Sequence, residues 1–114
     1  MIHYNKLIRD KIPEIMAKKG IKMAYHAAQT DQDYWHKLLE KLQEKINEFG
    51  FHQTEETLGD ILTVLDAMRD FKKIDSQDVI KIKQQNNSEK GEYTKRYILD
   101  SSNGEIGHRQ QQTI

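Results

Sequence analysis

Between residues 31 and 71 apolar side chains recur at helical spacing, and they do so in two separate stretches. Trp35, Leu38, Leu39, Leu42, Ile46 and Phe49 make the first stripe, and Leu58, Ile61, Leu62, Leu65, Met68 and Phe71 make the second. Each stripe is bracketed by helix punctuation. Thr30 with Asp33 resembles a capping box in which Asp replaces the usual Glu or Gln, Gly50 stops the first helix, and Thr54 caps the second. The connection between them is short. It forces an antiparallel hairpin, 31–49 against 54–71, around which a mostly all-α helical bundle is expected.

The flanks are less regular. Asn5 reads as the N-cap of a helix over 6–18 carrying Leu7, Ile8, Ile12 and Ile15, but Pro13 should break or kink it and leave Arg9, Asp10 and Lys11 on a turn. Gly20 closes that element. Residues 21–27 alternate apolar and polar, as a strand does, and the comparable segment is 93–99, so the two are paired as a small two-stranded unit. Ser76 caps a weaker fourth helix through Val79, Ile80 and Ile82, which dissolves in the polar run 84–88. This gives one domain over 1–100. The tail 101–114 is polar and nearly aperiodic, and is expected to be disordered or packed on a partner subunit.

Composition narrows the function classes. With 18 basic and 18 acidic residues the formal charge is zero, so nothing global draws the chain to a nucleic acid polymer or an anionic membrane. No apolar run reaches bilayer length and the N-terminus has no signal-peptide pattern, so a soluble, cytoplasmic protein is expected. Zero cysteines exclude disulfides and thiolate sites. A chain of 114 residues with 36% apolar content builds only a modest core, and the broad apolar face of 58–71 exceeds what one partner helix covers. Self-association, most simply a dimer, is therefore expected.

The acidic residues sit beside these stripes. At about 100° per residue, Lys45 and Glu48 flank the stripe of Leu42, Ile46 and Phe49, while Glu44 points further round toward solvent. Thr57 and Asp60 line the corresponding edge of the next helix. An antiparallel hairpin brings the two edges face to face. Four carboxylates there would suit Mg²⁺, a hard cation that keeps some waters and is best held with help from substrate phosphates. Only two of those four positions are acidic.

Glu44-Lys45-Ile46-Asn47-Glu48 followed by Thr57-Leu58-Gly59-Asp60 resembles a decayed Glu-Glu-x-x-Glu … Glu-x-x-Asp signature of the all-α nucleotide pyrophosphohydrolases. That superfamily includes MazG-like and phosphoribosyl-ATP pyrophosphohydrolase-like proteins. Two further segments resemble one small subfamily: Tyr4-Asn5-Lys6-Leu7-Ile8-Arg9-Asp10-Lys11-Ile12-Pro13, and Lys90-Gly91-Glu92-Tyr93-Thr94-Lys95-Arg96-Tyr97-Ile98-Leu99. Together they span 4–99. The resemblance implies a dimerising helical bundle and Mg²⁺-dependent cleavage of a nucleoside triphosphate to monophosphate and pyrophosphate. It also implies that the acids hold the metal, and it places them at Glu44, Lys45, Glu48, Thr57 and Asp60.

Positions 45 and 57 depart from that pattern, and three readings follow. In one, the Lys45 ammonium bridges Glu48 and Asp60 where a metal would sit, and hydrolysis is lost. In a second, the site has shifted, with Glu56 and Asp60 at i and i+4 joining Glu44 or Glu48 as ligands of Mg²⁺ in a weaker or altered enzyme. In the third, Glu44, Glu48 and Glu56 are simply a solvated face matched to lysines. Lys6, Arg9 and Lys11 carry a parallel choice. They either grip a triphosphate or tie the N-terminus to the bundle. The alternative to an enzyme is a catalytically silent helical dimer that binds a nucleotide or another protein. His3, His26, His36, His52 and His108 lack metal-ligand spacing, and Trp35 is expected in the core rather than against a base.

Overall fold

Helices α2 (Asp31–Phe51) and α3 (Glu55–Phe71) realise the two stripes in a computed structural model that describes residues 2–104. The caps explain where they begin. The Thr30 hydroxyl accepts from the Asp33 backbone N–H at 3.0 Å, and the Thr54 hydroxyl accepts from the Thr57 N–H at 3.2 Å. Thr57 returns the favour, its own hydroxyl accepting from the Thr54 N–H at 3.2 Å and completing a capping box. The two helices pack antiparallel along a seam whose centre is Leu38 on α2 and Val64 on α3. These are the only buried side chains among the described residues, and of the two Leu38 is the more completely enclosed.

The open end of the hairpin is closed by aromatic rings. Phe71 meets Tyr34 edge-on at 5.1 Å between centroids and stacks with Trp35 at 5.9 Å, while the Lys72 ammonium lies 4.3 Å from the Trp35 ring centre. Trp35 thus packs on α3 and stays half-buried rather than reaching a core. Beyond α3 the chain turns through Lys73 at φ +57°, with the Lys73 N–H on the Asp70 carbonyl and the Ile74 N–H on the Arg69 carbonyl. That is a Schellman stop built on lysine where glycine is usual.

Pro13 decides the N-terminal element. It lacks an N–H and its ring crowds the carbonyl four residues back, so α1 runs only over Ile12–Lys18, with Pro13 in its first turn. Lys11, not Asn5, is its N-cap. Asn5 instead adopts a left-handed φ of +49°, a conformation asparagine tolerates well. Gly20 at φ +79° ends α1 with the Ile21 N–H on the Met16 carbonyl at 2.9 Å.

The expected pairing of 21–27 with 93–99 is not formed, and no strand occurs among the described residues. Arg96 at φ +62° interrupts any extended run there, with its N–H 3.3 Å from the Tyr93 carbonyl in a turn. An isolated pair of strands is marginal in water without a covered face, and Tyr25 and Tyr93 are 67% and 84% exposed. The fold is all-α. The chain divides into two compact units, Met1–Ser76 and Gln77–Ile114. The second contains nearly all of α4 (Ser76–Lys90), which continues through 84–88 instead of dissolving there. Glutamine and lysine are good helix formers, Asp78 and Lys90 complement the helix dipole, and Gly91 at φ +81° supplies the stop. Residues 105–114 of the expected tail lie outside the described residues.

Candidate site on the acidic side of the hairpin

One long side of the hairpin gathers Lys37, Lys41, Glu44 and Glu48 from α2 with Asp60 from α3. Over it lies the irregular segment 5–9, held by three polar tethers. Lys37 donates to the Asn5 carbonyl at 3.0 Å, the Lys6 ammonium is 3.4 Å from Glu44 Oε1, and Arg9 Nη2 donates to Asp60 Oδ1 at 2.8 Å. Leu7 and Ile8 between them are half-buried. The left-handed turn at Asn5 therefore aims one carbonyl and two cations at the helices.

At the seam edge, Lys45 Nζ lies 3.3 Å from Glu48 Oε2 and 3.7 Å from Asp60 Oδ2. The two oxygens of Asp60 thus each face a cation, Arg9 on one and Lys45 on the other. Only 20% of the Lys45 side chain and 23% of that of Asp60 are exposed, so this pairing is better shielded from solvent than an ordinary surface pair. Glu44 is matched separately, by Lys41 at 3.0 Å and by Lys6. Partial burial pushes the Glu44 carboxyl upward, but the Lys41 and Lys6 ammonium groups together outweigh it and hold the group below its ordinary value.

Thr57 is turned away from this cluster. Its hydroxyl donates to the His52 carbonyl and serves the cap of α3, so the oxygen is spent on the backbone between the helices. Glu56 is exposed and makes no ion pair among the described residues, and Lys11 is exposed on the turn into α1. The structure therefore brings together Glu48 and Asp60, with Glu44 one step further round, and leaves Glu56 and Lys11 outside. Lys37 and Lys41 were not singled out by sequence. Their signal was the i, i+3 spacing to Glu40 and Glu44, which the structure fills at 3.4 and 3.0 Å.

The donor set can be tested against Mg²⁺. Such an ion wants several oxygens at about 2.1 Å in octahedral array. Here two carboxylates converge, the space between them is taken by an ammonium, and among the described residues no three of His, Cys, Asp or Glu are grouped to hold a metal. As arranged, the residues do not fit that ion. A shallow groove of about 650 Å³ along the outer side of α2 is lined by Glu40, Gln43, Glu44, Asn47, Glu48 and Phe51. Its carboxylates would repel a phosphate.

No family model, curated protein or solved structure matches the chain. The chemistry of the site must then be read from its own side chains, and those chains form a closed set of ion pairs. No helix among the described residues is long and apolar enough to cross a membrane.

Proposed function

We propose that this chain is a catalytically silent helical module with the pyrophosphohydrolase-type hairpin, whose work is to bind protein rather than to turn over a nucleotide. One observation carries the reading: the Lys45 ammonium between Glu48 and Asp60, at 3.3 and 3.7 Å. A protonated amine stabilises clustered carboxylates as a metal would, yet it cannot coordinate a water and lower its pKa to make a nucleophile. Further support comes from Lys6 and Arg9, the cations a triphosphate would need. Both are already engaged by Glu44 and Asp60.

The test compares the parent with Lys45→Glu/Thr57→Glu. Pyrophosphate release from a panel of nucleoside triphosphates in millimolar Mg²⁺ should be absent in the parent, and calorimetry should detect no Mg²⁺ binding. The double variant is expected to gain both. A parent that releases pyrophosphate as fast as the variant would overturn the silent reading.

A further inference from the structure

We infer that the acidic side of the hairpin is a seat for a non-helical basic segment of a partner protein, and that residues 5–9 are the chain's own stand-in for that segment. This rests on the protein-binding reading above and names the chemistry of the partner. Three contacts define what the seat accepts. Lys37 donates to a backbone carbonyl, that of Asn5, at 3.0 Å; Glu44 faces an ammonium, that of Lys6, at 3.4 Å; and Asp60 accepts from a guanidinium, that of Arg9, at 2.8 Å. Between the two cations Leu7 and Ile8 lie half-buried. The pattern recognised is cation, aliphatic, aliphatic, cation, on irregular backbone. Because Glu44 belongs to α2 and Asp60 to α3, the segment bridges the two helices, and neither helix alone makes the seat.

The seat does not depend on the segment that fills it. Each of its three groups has a second partner on the helices: Lys37 lies 3.4 Å from Glu40, Glu44 lies 3.0 Å from Lys41, and Asp60 lies 3.7 Å from Lys45. Lifting residues 5–9 therefore strands no charge of the seat. The segment, for its part, is lightly held. Among the described residues its backbone makes one hydrogen bond to backbone, from the Ile12 N–H to the Arg9 carbonyl at 3.1 Å. A receptor that is already organised, with an occupant that can leave, is what exchange for a partner requires.

A partner gains contacts where the chain's own segment stops. Glu40, Glu44 and Glu48 recur every four residues and so form one acidic row along α2. That row borders the groove of about 650 Å³ that also takes in Phe51, which is 85% exposed, and none of residues 5–9 lines it. A longer basic chain seated at Glu44 runs on into this groove, adding a cation beside Glu48 and an apolar contact with Phe51. These additions offset the head start of a tethered segment, whose effective concentration is on the order of millimolar. The sign of the row selects the class of partner, since carboxylates draw lysine and arginine and turn away phosphates.

The experiment frees the seat in the full chain with Lys6→Ala/Arg9→Ala and supplies the segment in trans, as a fluorescent peptide of residues 4–11. Anisotropy should show binding to the double variant with a dissociation constant below about 1 mM, and at least about tenfold weaker binding to the parent, whose seat is occupied. A peptide with alanine at the positions of Lys6 and Arg9 should fail to bind. The original peptide should fail likewise once Glu44→Gln and Asp60→Asn are added to the double variant. Should Lys6→Ala/Arg9→Ala fail to fold by circular dichroism, Lys6→Gln/Arg9→Gln keeps the aliphatic stems and serves in its place. No binding to the folded variant up to about 1 mM, equal binding to parent and variant, or equal binding of the alanine peptide would overturn the proposal. So would tryptic cleavage after Arg9 that inorganic triphosphate accelerates while the peptide does not bind, which would assign Lys6 and Arg9 to an anion. Pyrophosphate release is a separate measurement, so this proposal can fail while the silent reading stands.

Discussion

The two long sides of the α2–α3 hairpin meet the same solvent in opposite ways. On the acidic side every carboxylate of the cluster has found a cation from the same chain, two of them delivered by the segment 5–9. On the other side, Leu39 and Ile46 of α2 and Leu58 and Leu65 of α3 stand 42–46% exposed. The difference is one of what each kind of group needs. A charge is satisfied by one well-placed partner atom, which a short irregular segment can supply. Apolar surface is satisfied only by area, which such a segment does not have.

The comparison can be strained at four points. The largest effect is expected at the seam itself, where Leu38→Ala should cost about 2–5 kcal/mol in denaturant unfolding, because Leu38 is 1% exposed and its removal leaves a cavity. Leu65→Ala, on the apolar side, should cost less than about 1 kcal/mol, because Leu65 is already 42% exposed. A penalty at 65 as large as that at 38 would break the contrast between the seam and the apolar side. Next comes Asp60→Ala, which strands Lys45 and Arg9 together. About 1 kcal/mol should be lost, with proteolysis near Arg9 accelerated and the oligomeric state unchanged.

The smallest effect is a response to acid. The Glu44 carboxyl lies below its ordinary value of 4.5 in the folded chain, so its contribution is fully present above that value. It is lost as pH falls through the lower, folded value. Melting temperature should therefore decline below about pH 4.5, and Glu44→Gln should flatten part of that decline. An unchanged slope in Glu44→Gln would mean that the ion pairs of Glu44 with Lys41 and Lys6 contribute nothing.

How much of this was legible follows from how local each feature is. The hairpin was readable because its stripes, its Thr30 and Thr54 caps and its short loop are signals spanning only a few residues each. The bridging position of Lys45 was readable too, since helical spacing fixes which flank it takes. Thr57 was harder. The same spacing put it at the seam edge, but a hydroxyl three residues after a capping threonine has a backbone partner closer at hand than any carboxylate across the seam. The strand expectation failed because alternation describes a half-covered segment, and nothing in 21–27 or 93–99 says what would cover it. The short α1 was signalled by Pro13, but the left-handed turn at Asn5 and its tethers join residues 32 to 51 positions apart, beyond the reach of any periodicity.

An ammonium carried on a side chain differs from a dissolved ion in one respect that outlasts its charge: it has no supply. It is delivered with the polypeptide, is always at full occupancy in the folded state, and cannot be chelated, starved or exchanged for a different ion. On the silent reading proposed above, Glu48 and Asp60 would keep this counter-charge whatever the divalent-cation content of their surroundings. A covalent change to that amine, such as acetylation, would remove the charge between them.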